Sequence, residues 1–202
     1  GDFAKAGGRN TMAGALGGEI RGHAAATTDK VFSAANLNKV LYVGISDAPA
    51  WVVSRANTLA DLKGWTPFAG LQIQYSLIER TPERELLPMA KALDIAVTPW
   101  GVLGGGVLSG KYKLGKVSPA GARYAVAAEW GSAFLTDRNF RIAGVVSEVA
   151  AETGRTASQV SLAWVRQQPW GVVVPILGAR SVRQLEDNHG CLDPVLTDEQ
   201  IG

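Results

Sequence analysis

Ile95-Ala-Val-Thr-Pro-Trp100, with the loop that follows it, Gly101-Val-Leu-Gly-Gly-Gly-Val-Leu-Ser-Gly-Lys111-Tyr112, sets the reading of the whole chain. The first six residues read as a buried strand. The strand empties into a loop whose glycines let backbone N–H groups approach a ligand, and Lys111 adds one cation. An aromatic face, a bare backbone and a positive charge suit a nucleotide with a flat ring and a phosphate bridge.

Outward from this stretch the text is regular. Lys39 to Ser46 reads as a strand, and Pro49 opens a helix stopped by Gly64. Leu71 to Ile78 alternates like a strand. A helix starts at Thr81-Pro82-Glu83 and carries Leu86, Leu87, Ala90 and Leu93. Phe140 to Thr153 forms a further helix with Gly154 as its stop. Thr156-Ala-Ser-Gln159, Ser181-Val-Arg-Gln184 and Thr197-Asp-Glu-Gln200 are capping boxes, and Gly190 ends the helix that Ser181 begins. Gly171 to Leu177 is the fourth strand. Four apolar strands alternating with helices predict an α/β fold with a parallel sheet. Ligand groups should gather beyond the carboxyl ends of the strands, at Ser46 and Asp47, Tyr75, the Trp100 loop and Gly178-Ala179-Arg180.

Residues 1–38 differ from this pattern. They are rich in Gly and Ala and read as an irregular segment, with one short helix from Thr28 through Leu37; 39–202 is the folded domain. At 202 residues and 47% hydrophobic, the chain can fill a core, and 19% charged residues argue against disorder. The net charge of +2 comes from scattered lysines and arginines, which argues against nucleic acid. A single cysteine, Cys191, leaves no internal disulfide and fits a cytoplasmic setting. No apolar run reaches the roughly 18 residues of a membrane span. Two histidines, His23 and His189, exclude a His-rich metal site.

Four blocks occur in order: Val43-Gly-Ile-Ser46-Asp47; Gly70-Leu-Gln72-Ile-Gln-Tyr75; Trp100 through Gly-Lys111-Tyr112; and Ile176-Leu-Gly178-Ala-Arg180 with Gln184, Asp187 and Asn188. Together they resemble the aldo-keto reductase family, in the branch of bacterial reductases and the potassium-channel beta-subunit type. The resemblance covers roughly Lys39 to Gln200. It implies part of a (β/α)8 barrel, about four parallel β/α units from its second half, and NADP(H) as cofactor. Ser46, Asp47 and Gln72 would hold the nicotinamide carboxamide, and Trp100 would stack on the ring. The backbone of Gly101, Val102, Leu103, Gly104 and Gly105 would follow the pyrophosphate, with Lys111 nearby. Gly178, Arg180 and Arg123 would meet the 2′-phosphate, while Gln184, Asp187 and Asn188 would flank the adenine. Two departures stand out: Asp47 where Asn or Arg is common, and Gly101-Val102 in place of the usual Ser-Pro.

The same resemblance implies a small carbonyl substrate, reduced with the help of an Asp, Tyr, Lys and His from the barrel's first half. None of those motifs is matched in this sequence. The expectation is therefore a truncated half-barrel with weak or no turnover, pairing with another copy through exposed strand edges. Two other readings stay open. One is a nucleotide binder without catalysis. The other is a hydrolase using Ser46 or Ser109 with His23 or His189, since Gly44-Ile-Ser46-Asp-Ala48 approaches a nucleophile elbow but lacks its last glycine. Gly105 to Lys111 also fits a phosphate-binding P-loop until Tyr112 replaces the required hydroxyl residue. Tyr75 and Cys191 read as packing.

Overall fold

The computed structural model describes residues 42–202, apart from 114, 120, 127–130 and 132. The irregular segment, its helix from Thr28, His23 and the first residues of the first strand lie outside them. The chain divides into two compact units, and the described part of the first comprises residues 42–73, 82–98 and 170–172. The second comprises 74–81, 99–169 and 173–202.

Three strands form one sheet in the order β1 (Val43–Ser46), β2 (Phe68–Gln74), β3 (Ala96–Trp100). β1 and β2 run parallel, with Ile45 opposite Leu71 and Ser46 opposite Gln72. Between them lies helix α1 (Ala50–Lys63). It begins after Pro49 and closes at Gly64, whose left-handed φ of 64° lets the next N–H, that of Trp65, return to Ala60 O at 2.7 Å. A contact the sequence did not signal fastens α1 to β2. Buried Asn57 donates to Phe68 O at 3.1 Å and accepts from Phe68 N–H at 2.9 Å. Both polar arms of the amide are thereby satisfied inside a core of Val43, Val53, Phe68, Leu71, Leu87 and Val97.

The helix expected from Thr81 is two pieces, a 3-10 turn (Thr81–Arg84) and α2 (Leu86–Ala92). Pro88 explains the break. In a helix begun at Thr81 it would fall in the interior, where its missing N–H and its ring are costly; three residues into α2 its N–H is not needed. The fourth strand is also less regular than expected. Val97 N–H reaches Val172 O at 2.8 Å in the first unit. In the second, Ile176 N–H reaches Pro99 O at 2.8 Å, yet only Val173 forms a bridge. Pro175 has no N–H to extend a ladder, and Gly171 starts the run at φ 85°.

The second unit packs helices α4 (Asp137–Thr153), α5 (Ala157–Arg166), α6 (Val182–His189) and α7 (Asp198–Ile201); α3 (Arg123–Val126) is a single turn. Thr136 caps α4, so that helix starts three residues before Phe140. Trp164 of α5 is the largest fully buried side chain among the described residues, 1% exposed. Its indole N–H donates to Ile201 O at 2.9 Å, Tyr75 lies 5.5 Å from its ring and Arg80 covers it at 5.1 Å. Cys191 is buried, and burial pushes its thiol above the usual range. The capping boxes at Thr156 and Thr197 are complete. At Ser181 only half forms: its hydroxyl accepts from Gln184 N–H, but Gln184 Oε1 accepts from Arg180 N–H at 2.8 Å. Gly190, at φ −61°, carries α6 into a 3-10 turn rather than stopping it in a left-handed cap. No helix among the described residues is long and apolar enough to cross a membrane.

Candidate functional site

In the first unit, the carboxyl end of β1 brings Ser46 directly opposite Gln72 on β2. Ser46 is 3% exposed, and the chain turns away at Asp47, which adopts a left-handed φ of 51° and is exposed. A hydroxyl and a side-chain amide on neighbouring strands can offer a donor and an acceptor to one polar group.

The second unit holds the loop. Trp100 ends β3 and is 37% exposed, and its carbonyl accepts from Tyr75 N–H at 3.2 Å. Gly101, Gly104, Gly105 and Gly106 all have positive φ, from 55° to 98°. Gly104 N–H turns back to Gly101 O and Gly106 N–H to Leu103 O. The N–H groups of Val102 and Leu103 donate to no described residue. At Gly105 a Cβ would meet the Tyr124 phenol, and at Gly106 it would meet Cε and Nζ of Lys111. Handedness thus favours glycine at all four positions, and at Gly105 the phenol packed on it requires glycine a second time, whereas the flexible end of Lys111 could move aside at Gly106.

Three cations gather beside this loop. Lys111 lies 5.2 Å over the Tyr112 ring. Its pKa is held below the ordinary lysine value, first by burial and then by the fields of Arg180 and Arg123. Arg180 donates from Nη1 to Gly121 O at 2.8 Å. Clustered positive charge with bare amides nearby is what a phosphate needs, and it leaves the cluster self-repelling without one. Burial raises the Tyr124 hydroxyl pKa, against the pull of Arg123.

The remaining sequence candidates are spread along α6. Gly178 is exposed, with open space where a Cβ would stand. Gln184 is engaged with Arg180 N–H. Asp187 accepts from Thr156 Oγ1 at 3.3 Å and from Gln159 Nε2 at 3.3 Å, so it also ties α6 to the start of α5. Asn188 is buried. Tyr75, fully buried against Trp164, fits its reading as packing. Ser109 donates its hydroxyl to Gly106 O at 2.7 Å, bracing the glycine turn. Residues 111–113 after the turn are irregular, so Lys111 does not open the helix a P-loop requires. Tyr124 and Gly121 were missed by sequence reasoning; no motif spacing marks them.

Residues 35–202 match the model of the aldo/keto reductase family. The chain is 36% identical over 164 residues to "Probable aryl-alcohol dehydrogenase AAD4" of Saccharomyces cerevisiae, an alignment covering 81% of this chain and 49% of that protein. It is 36% identical to a norsolorinic acid reductase of Emericella nidulans, over 81% of this chain and 39% of that one. With an aryl-alcohol dehydrogenase [NADP(+)] of Phanerodontia chrysosporium it shares 32% identity, over 81% and 42% respectively. The chain thus spans half or less of the length of these relatives.

Proposed function

We propose, from the premise that this chain belongs to the aldo/keto reductase family of oxidoreductases, whose (β/α)8 barrel it covers in part, that it binds NADP(H) for the interconversion of carbonyl compounds and alcohols. The observation that carries this reading is the loop from Gly101 to Lys111, where amides with no acceptor among the described residues and bare glycines lie in one unit with the Lys111, Arg123 and Arg180 cations. Those groups fit the phosphates of a dinucleotide, and Arg is the side chain best suited to a 2′-phosphate. Trp100, in the same unit as those cations, would offer its exposed side chain to the nicotinamide. When bound, the nicotinamide supplies or accepts the hydride; the chain's own part is to hold and orient it. The names of the relatives, aryl-alcohol dehydrogenases and a reductase, support an alcohol–carbonyl pair as substrate, and one of them is named for NADP(+).

The test is a titration with NADPH, followed by quenching of tryptophan fluorescence. Because the chain has six tryptophans, Trp100→Ala is the control. Saturable binding weakened in that variant, and weaker for NADH, is expected. Turnover of an aryl aldehyde such as benzaldehyde is then measured by loss of NADPH absorbance. Binding without turnover would assign a nucleotide binder, and no binding up to millimolar NADPH would sink the oxidoreductase reading.

A further inference from the structure

Tyr124 sits one residue after Arg123 on the single turn α3 and is 5% exposed. Its backbone N–H donates to the Tyr112 hydroxyl at 3.2 Å. Its ring lies against Tyr112 and Phe134, with centroids 5.5 and 5.6 Å away. Its own hydroxyl reaches Gly104 O at 3.5 Å and fills the space in which a side chain on Gly105 would stand. A phenol is protonated at neutral pH, so it is a donor to that carbonyl, and burial shifts its pKa further in that direction. On the other side of the same segment, Gly121 O accepts from Arg180. The segment Gly121–Ala125 is thus fastened at one end to a cation and at the other to the glycine loop.

We propose that Tyr124 is a positioning residue, which docks this segment on the glycine turn so that Arg123 and the loop amides are held in register for the phosphates of the ligand. The inference rests on the cofactor reading above and adds to it a residue that neither the motif spacing nor the family blocks single out. The phenol touches no ligand in this role. It fixes two parts of the phosphate site relative to each other, within a single unit of the chain.

The experiment is a double-mutant cycle read as the NADPH dissociation constant, on the full chain. Tyr124→Phe keeps the ring and removes the bond to Gly104; about a fivefold weakening is expected from one such bond. Tyr124→Leu should weaken binding further. Arg123→Gln should cost less in the Tyr124→Phe background than in the wild type, because an arginine already out of place has less to lose. NADPH should slow trypsin cleavage after Arg123 in the wild type more than in Tyr124→Phe. Circular dichroism checks folding; if Tyr124→Leu does not fold, Tyr124→Phe and its pair with Arg123→Gln decide. Folded variants that bind like the wild type, or costs that simply multiply, would overturn the role of Tyr124 and leave the cofactor site standing. A wild type that does not bind NADPH would overturn both.

Discussion

Gly105 and Gly64 share nearly the same left-handed φ, 65° and 64°, but differ in what surrounds them. At Gly64 a Cβ would meet nothing within 4 Å; at Gly105 it would strike a buried phenol. Gly64→Ala should therefore cost about 1 kcal/mol, the strain of the backbone alone. Gly105→Ala should cost clearly more, roughly 2 kcal/mol or above, as a ring locked by Tyr112 and Phe134 has to move. Urea denaturation of the two variants compares them directly. Lys111 makes a second residue-scale prediction. Its folded pKa lies below its unfolded value, so between the two the folded state holds fewer protons and stability rises with pH. Below that window the charge destabilises the folded, ligand-free protein. Lys111→Met should then melt higher than the wild type at neutral pH and low salt, and lose that advantage as pH climbs through the window. NADPH affinity should run the other way in the wild type, full below the lowered pKa and falling as the ammonium deprotonates.

Helix termini show what the sequence could and could not tell. Thr156 and Ser181 look alike on paper, each followed three residues later by Gln. In the structure Gln159 closes its box, while Gln184 turns to Arg180 N–H, and Asp187 accepts from Thr156 as well. Thr156→Ala should cost about 1 kcal/mol or more, and Ser181→Ala less, measured as shifts in thermal midpoint. The first and third strands, α1, α4 and α5 were legible because apolar period, Pro and Gly mark them in order; the second, read as Leu71 to Ile78, lies at Phe68–Gln74, because apolar alternation continues past Gln74 into the turn before Glu79. The irregular fourth strand was not, since apolar content alone does not reveal that Pro175 withholds a donor from the ladder. Within the candidate site, the loop announced itself through its glycines, and Lys111 and Arg180 through the family blocks. Asn57 and Tyr124 act through partners eleven and twenty residues away, a distance at which no local pattern carries information.

At the scale of the whole molecule, polar and apolar exposure are unevenly divided. Val172, Val174, Ile176 and Leu177 stand in succession with 36% to 61% of their surface exposed. A run of this kind should bind an apolar dye, and Val174→Lys with Ile176→Glu should reduce that signal while barely changing the urea midpoint. Trp164 is the opposite case: Trp164→Ala empties the core of the second unit and leaves Ile201 O without its donor, so about 3 to 5 kcal/mol should be lost. Cys191 gives the molecule a built-in clock for such changes. It is the chain's sole sulfhydryl, shielded in the folded state and further quieted by its raised pKa. A colorimetric disulfide reagent will therefore react only as fast as the second unit opens around that sulfur, and the rate of colour development reads out local opening without any added label.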